Sequence, residues 1–206
     1  MIHYDYYDVP REVIDDFVRG QEMGRLVTVS GDGAPHVGLY PFAYDGSVIE
    51  VHLNRADAQL ADLATRPRCV FEVDEILGTI PSYWVHPESA VAATAYHRTV
   101  IFECTATVSY DPGVLAAQQT RLLARYQPEG GFRLVDPTDP LYTGAIDFIA
   151  AVTLDVTAVQ AKFKLGQNRP PAARTRVIEE LRRRGRRNDD RAADAVAWTM
   201  DARQEK

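Results

Sequence analysis

Short apolar runs punctuated by glycine-bearing turns limit what this chain can fold into more than any other feature. Residues 25–30 are followed by Gly31-Asp32-Gly33, residues 35–44 by Asp45-Gly46, and residues 48–54 complete the series. Such turns supply the positive φ angles that a tight hairpin needs, so the pattern predicts a three-stranded antiparallel meander. Residues 68–74, 97–110 and 149–165 read as further strands, the last with Val152, Leu154 and Val156 in alternation. Few helices interrupt them. One opens at Asp8 and Pro10 and runs to about residue 23, one covers residues 56–65 with Leu60, Leu63 and Ala64 on one face, one follows Asp111-Pro112 over residues 113–126, and a short one lies near residues 139–147. Strands at short spacing with so few helices predict an α+β, mainly β fold: a small Greek-key barrel rather than a βαβ sheet.

The chain is long enough for one such domain and a tail. With 206 residues, 46% hydrophobic and 25% charged, it has the composition of a globular protein. The barrel is expected over residues 1–165 and a basic helical extension over residues 166–206, with a helix at 174–184 and another ending near 200. Twenty-nine acidic against 23 basic residues give a net charge of -6, which argues against nucleic-acid binding over the whole surface. Yet 11 of the 23 basic residues (Lys162, Lys164, Arg169, Arg174, Arg176, Arg182, Arg183, Arg184, Arg186, Arg187 and Arg191) fall in one stretch near the end. An anion site is therefore expected where the last strand ends. No basic segment followed by an apolar one opens the chain, and no run approaches the roughly 18 apolar residues of a membrane span, so a cytoplasmic location is the expectation. Cys69 and Cys104 sit inside β-branched or aromatic runs and read as buried strand thiols.

Common catalytic motifs are missing: there is no Gly-x-Gly-x-x-Gly, no phosphate loop, no Gly-x-Ser-x-Gly and no His-Glu-x-x-His. The five histidines, His3, His36, His52, His86 and His97, show no metal-ligand spacing. Two segments carry the candidate chemistry. In residues 51–57, His52 and Asn54 share one face of a strand, and Arg55 stands beside a helix start, where free N–H groups and a guanidinium suit a phosphate or carboxylate. A sheet-edge histidine and a helix-capping turn are the plainer reading. In residues 162–169, Lys162 and Lys164 are two apart on a strand and point the same way, ahead of Gly166, Gln167, Asn168 and Arg169. They suit an anionic cofactor or a solvated strand end equally. Tyr83, Trp84, Tyr96 and His97 bracket an irregular insert over residues 79–95 and either stack on a planar ring or pack the loop down. The arginines of residues 182–187 either meet phosphates or oppose a helix dipole, the latter worth a few tenths to about 1 kcal/mol.

The run from Lys162 to Leu181, KFKLGQNRPPAARTRVIEEL, resembles the carboxy-terminal motif of the PaiB-like proteins, FMN-binding negative transcriptional regulators with the flavin-reductase-like split-barrel fold. His52-Leu53-Asn54-Arg55-Ala56 is similar to that family's His-Leu-Ala-Arg-Ala turn, and Ile80-Pro81-Ser82-Tyr83-Trp84 to its Ser-Pro-Ser-Trp-Tyr segment. Thr94 stands where a Pro-Thr-Trp-Asn-Tyr motif lies. Two segments depart: Gly38-Leu39-Tyr40-Pro41-Phe42 replaces Ser-His-Leu-Pro-Phe, and Ala95 and Tyr96 replace the Trp and Asn. Both fall among expected flavin contacts.

The resemblance implies a split β-barrel of the flavin-reductase and pyridoxamine-phosphate-oxidase kind, paired as a homodimer with a cofactor at the interface. Arg55, Lys162, Lys164, Gln167 and Asn168 would be anion or ring contacts, with His52, Asn54, Tyr83, Trp84 and Tyr96 around them, and FMN would carry electrons for a small-molecule substrate. A related branch, the piperazate synthases, binds haem and forms an N–N bond in an N-hydroxylated ornithine. Likeness to that branch implies His52 as axial ligand, His97 as second choice, Arg55 and the terminal lysines as propionate partners, and Glu103 as a proton-handling carboxylate. The third expectation is a regulator without catalysis that contacts DNA through the arginine run.

Overall fold

The computed structural model describes residues 4–201. Its strands are β1 (Met23–Val29), β2 (Pro35–Pro41), β3 (Ala43–Tyr44), β4 (Val48–Asn54), β5 (Arg68–Ile80), β6 (Thr94–Ser109) and β7 (Ile149–Lys164). Its α-helices are α1 (Arg11–Arg19), α2 (Ala58–Thr65), α3 (Pro112–Tyr126), α4 (Pro140–Ile146), α5 (Pro171–Arg184) and α6 (Asp189–Asp201). The strands form one sheet in the order β2-β1-β5-β6-β7-β4-β3. Two compact units share the chain: residues 12–73 and 101–160 make one, and the described residues of 1–11, 74–100 and 161–206 make the other.

The expected meander is not one, and the difference is what closes the barrel. β2 and β3 are the two outer strands of the sheet, yet only Phe42 separates them in the chain. β2 pairs with β1, Met23 opposite Pro41, whereas β3 pairs with β4, Ala43 opposite Glu50. β4 in turn pairs with β7, His52 opposite Ala151. One segment therefore leaves one ladder and joins another, which is the split barrel. Pro41 has no N–H to give, so a ladder ends there at low cost. At the bend the Tyr126 hydroxyl accepts from Phe42 N at 2.9 Å, lies 3.0 Å from Phe42 O, and also reaches Glu22 O. Arg125 lies 4.9 Å from the centre of the Phe42 ring and donates to Gln21 O. Phe42 is fully buried, edge-on to Phe71 at 5.2 Å. Such burial contributes about 1.5–3 kcal/mol.

Helix boundaries follow from their caps. α1 stops at Arg19 rather than near residue 23, because Gly20 N turns back to Asp16 O and Phe17 O and Met23 already starts β1. α2 buries Gln59, Leu60, Asp62 and Leu63, and Ala64 is exposed. The reason is polar: Gln59 Nε2 donates to Leu26 O and to Thr28 Oγ1, drawing that face onto β1. α3 and α4 are capped by Asp111 and Asp139 and pack Leu115 and Ile146 against Ala151. β5 runs six residues past Asp74 because its alternation continues through buried Glu75 and Leu77.

In the other unit α5 starts at Pro171, earlier than residue 174, since proline is well placed in a first helical turn. It ends at Gly185, whose φ of 64° closes the helix in the left-handed conformation. Cys69 and Cys104 are free and buried, as expected, and burial pushes both thiols up to about 12. No helix among the described residues is long and apolar enough to cross a membrane.

If the Tyr126 hydroxyl holds the bend, Tyr126→Phe leaves the buried Phe42 backbone groups without a partner and lowers stability by about 1–3 kcal/mol in urea unfolding. An unchanged midpoint would mean that packing alone holds the bend.

Candidate functional site

His52 lies on β4 between buried Val51 and Leu53 and is itself half-buried. Its Nδ1 is sealed from solvent and has no hydrogen-bond partner, and burial holds the imidazole below its usual pKa. It is therefore neutral at neutral pH. The start of α2, which the sequence offers to an anion, is already taken by a carboxylate: Asp57 Oδ1 accepts from Gln59 N at 2.9 Å, and Tyr40 donates to Asp57 Oδ2 at 2.8 Å. Asn54 Oδ1 accepts from Ala56 N, so this side chain shapes the turn. Arg55 donates through Nε to Ile149 O at 3.0 Å and lies 5.4 Å from the Tyr110 ring centre. Glu103, half-buried on β6, meets Gln160 Nε2 at 3.5 Å.

The same unit contains a pair that spacing did not single out. His36 Nδ1 lies 2.7 Å from Asp62 Oδ2, which also accepts from Thr28 Oγ1 at 2.6 Å. Burial pushes the Asp62 carboxyl up, but the bonds from Thr28 and His36 outweigh it and hold the group below the usual range. His36 and Asp62 are 26 residues apart, so no local pattern marks them.

The other unit holds a cavity of about 260 Å³ at the end of β7, lined by Tyr7, Thr94, Tyr96, Lys164, Asn168 and Arg169 with Val85, Val91 and Ala92 as an apolar wall. The chain builds it with a tight turn. Gly166 takes φ 78°, and Gln167 uses its amide on its own turn, accepting from Leu165 N at 2.8 Å and donating to Phe163 O. Arg169 N then closes on Gly166 O at 2.9 Å. Gly166 is required twice over, since a Cβ here would meet the Tyr96 hydroxyl at 2.3 Å. Tyr96 is only 2% exposed, and its hydroxyl has no hydrogen-bond partner among the described residues. Burial pushes its phenol up, and Arg169 and Arg174 pull the other way.

Of the residues expected from sequence, Tyr96, Lys164 and Asn168 line this cavity, and Thr94 and Arg169 join them. Lys162 lies 5.1 Å from the ring centre of Tyr7. His97, 3.0 Å from Thr99 Oγ1, is pushed below its usual pKa by burial and by Lys164 and Lys162. Tyr83 is exposed, and Trp84 is buried beneath Arg184, whose guanidinium lies 4.8 Å from a Trp84 ring centre. Trp84 thus packs the insert down. His52, Asn54, Arg55 and Glu103 belong to the other compact unit, and His3 lies outside the described residues.

Comparison with known proteins places the chain in a family. Residues 1–158 match the family described as "Putative FMN-binding domain", and the chain belongs to it. A conserved hypothetical protein of Mycobacterium tuberculosis shares the fold at 20% identity and a TM-score of 0.61, covering 82% of this chain and 94% of that one. An FAD- and haem-binding protein of Mycobacterium smegmatis has 16% identity and a TM-score of 0.63, covering 76% and 72%. The flavocytochrome Anf3 of Azotobacter vinelandii has 17% identity and a TM-score of 0.61, covering 78% and 74%. A comparison with curated proteins finds no match.

Gly166→Ala forces a side chain into a left-handed conformation, at about 1–2 kcal/mol, and against Tyr96. Thermal unfolding should show a marked loss, and adding Tyr96→Phe should recover part of it because the two sites touch. Strictly additive losses would mean that the Tyr96 hydroxyl is not what Gly166 accommodates.

Proposed function

We propose that this chain is an FMN-dependent redox protein of the PaiB-like kind and that the cofactor's phosphate enters the cavity at the end of β7. The observation that carries this reading is a cavity that presents Lys164 and Arg169 beside the hydroxyl of buried Tyr96, which has no hydrogen-bond partner among the described residues. A phosphate needs positive charge and several directed donors. Lys164 and Arg169 offer the charge, and Tyr96, Thr94 and the Asn168 amide offer further donors. The volume would suit the phosphate and ribityl end. FMN, when bound, supplies the electron transfer; the chain's residues clamp, orient and exclude water.

A second copy completes this reading. On β1 and β2 the residues Met23, Val29, Val37 and Leu39 are exposed, Val37 at 63% and Leu39 at 56%, and they share one face of the hairpin. An apolar sheet face of this kind suits a dimer interface. Val37→Lys with Leu39→Lys should turn a dimer into a monomer in sedimentation equilibrium; a wild-type monomer would contradict this.

Haem bound by His52, as in the piperazate-synthase branch, is the second reading. Its support is the neutral imidazole, the form that ligates iron. Against it stands the unpartnered Nδ1, since a ligating histidine normally donates its other ring N–H to a partner. DNA binding through the arginine run draws less support. Arg182, Arg183 and Arg184 are paired with Asp194, Glu180 and Asp189, and Arg184 also donates to Thr79 O.

Quenching of flavin fluorescence tests the first reading. The wild-type chain should bind FMN more tightly than riboflavin, which lacks the phosphate. Lys164→Met and Arg169→Met should each cut FMN affinity by about tenfold or more and leave riboflavin binding nearly unchanged. Equal wild-type affinity for the two flavins would remove the phosphate site.

A further inference from the structure

Glu75 and Arg98 interrupt apolar rows. Along β5, Glu75 stands between buried Val73 and Leu77, and along β6, Arg98 stands between buried Tyr96 and Val100. Charges in such places are costly, because well-packed apolar residues often serve stability as well as a buried ion pair or better. This pair is also loosely joined, Arg98 Nη1 lying 3.8 Å from Glu75 Oε2. Both Glu75 oxygens are sealed from solvent. Arg191, reaching from α6, makes a close ion-pair contact with Glu75 Oε1, yet its side chain is 65% exposed. Oε2 has a counter-charge in Arg98 but no donor within hydrogen-bond distance among the described residues, and the carboxylate as a whole could accept about four.

A cavity of about 260 Å³ opens beside these groups, walled also by Leu77, Asp194 and Trp198. Its charges are mixed, two carboxylates and two guanidiniums, with an indole and a leucine as apolar wall. A simple cation or a simple anion would meet as much repulsion as attraction. A zwitterion would not. We propose that this cavity binds an α-amino acid with an apolar side chain. The ammonium replaces Arg191 on Glu75, the released Arg191 takes the carboxylate, and the side chain packs on Trp198 and Leu77. The exchange conserves charge, and an ammonium with three N–H groups reaches Glu75 Oε2 as well as Oε1. None of the residues that line this cavity lines the cavity at the end of β7, so this site is independent of the cofactor reading.

Isothermal titration of the full chain with L-leucine and L-phenylalanine tests the proposal, with 4-methylpentanoate and isoamylamine as the half-ligands of leucine and 3-phenylpropionate and phenethylamine as those of phenylalanine. The better amino acid should bind at least about tenfold more tightly than either half-ligand, each of which lacks one charge-assisted contact. Glu75→Gln should weaken that binding by about tenfold or more while leaving FMN uptake unchanged. Arg191→Met, a change on an exposed arm, should weaken it likewise and serves if Glu75→Gln fails to fold. Absence of heat with both amino acids, a half-ligand that binds as well, or undiminished binding in a folded variant would overturn the proposal.

Discussion

At Phe42 the backbone leaves one ladder and enters another, and neither strand can satisfy its N–H and C=O there. The Tyr126 hydroxyl does so from the end of α3. The consequence reaches well beyond one residue. Because the bend is held, the segment that pairs with β1 also pairs, two residues on, with β4, and the sheet needs no separate strand to close. Arg125, on the same helical turn, donates to Gln21 O and lies over the Phe42 ring, so polar and aromatic contacts converge on one point. Buried donors and acceptors left unmade cost more than most single contacts return, which is why a lone hydroxyl can decide the topology.

Strand length connects the fold to its chemistry. β7 has 16 residues, pairs with β4 near its start, and carries Lys162 and Lys164 at its end. The turn at Gly166 then stops the strand and presents Asn168 and Arg169 to the cavity. Gln167 binds the backbone of the strand end at Leu165 N and Phe163 O, so its amide holds the turn. In the same unit the tail is fastened by charge: Arg184 joins Asp189 through two bonds and covers Trp84. Among the basic residues near the end of the chain, Lys164 and Arg169 therefore face the cavity, and Arg182, Arg183 and Arg184 hold helices in place.

Much of this was legible in the sequence where the signal is local. The helix start at Asp111-Pro112, the alternation of the last strand and the clustering of Lys164, Asn168 and Arg169 all act over a few residues. What escaped depends on distant partners. Segment 35–44 reads as one strand because Phe42 is apolar like its neighbours, and only its contact with Tyr126, 84 residues away, reveals the bend. Arg55 reads as an anion ligand, and its Nε bond to Ile149 O, 94 residues away, has no local mark. The helix start beside it reads as open because the sequence does not show Tyr40 pointing at Asp57. His36 with Asp62, and Glu75 with Arg98, were unreadable for the same reason. The family resemblance pointed to the fold, and of its departures at Ala95 and Tyr96 the second lines the cavity.

The phosphate site proposed for a flavin at the end of β7 is open to direct test. Its most direct test is the absorption spectrum of the full chain after loading with FMN or haem and removal of the excess, for the wild type and for Lys164→Met with Arg169→Met combined. The account predicts flavin bands that stay with the wild-type protein and are lost from the double variant. A retained Soret band with no retained flavin, or flavin held equally by both proteins, would contradict it.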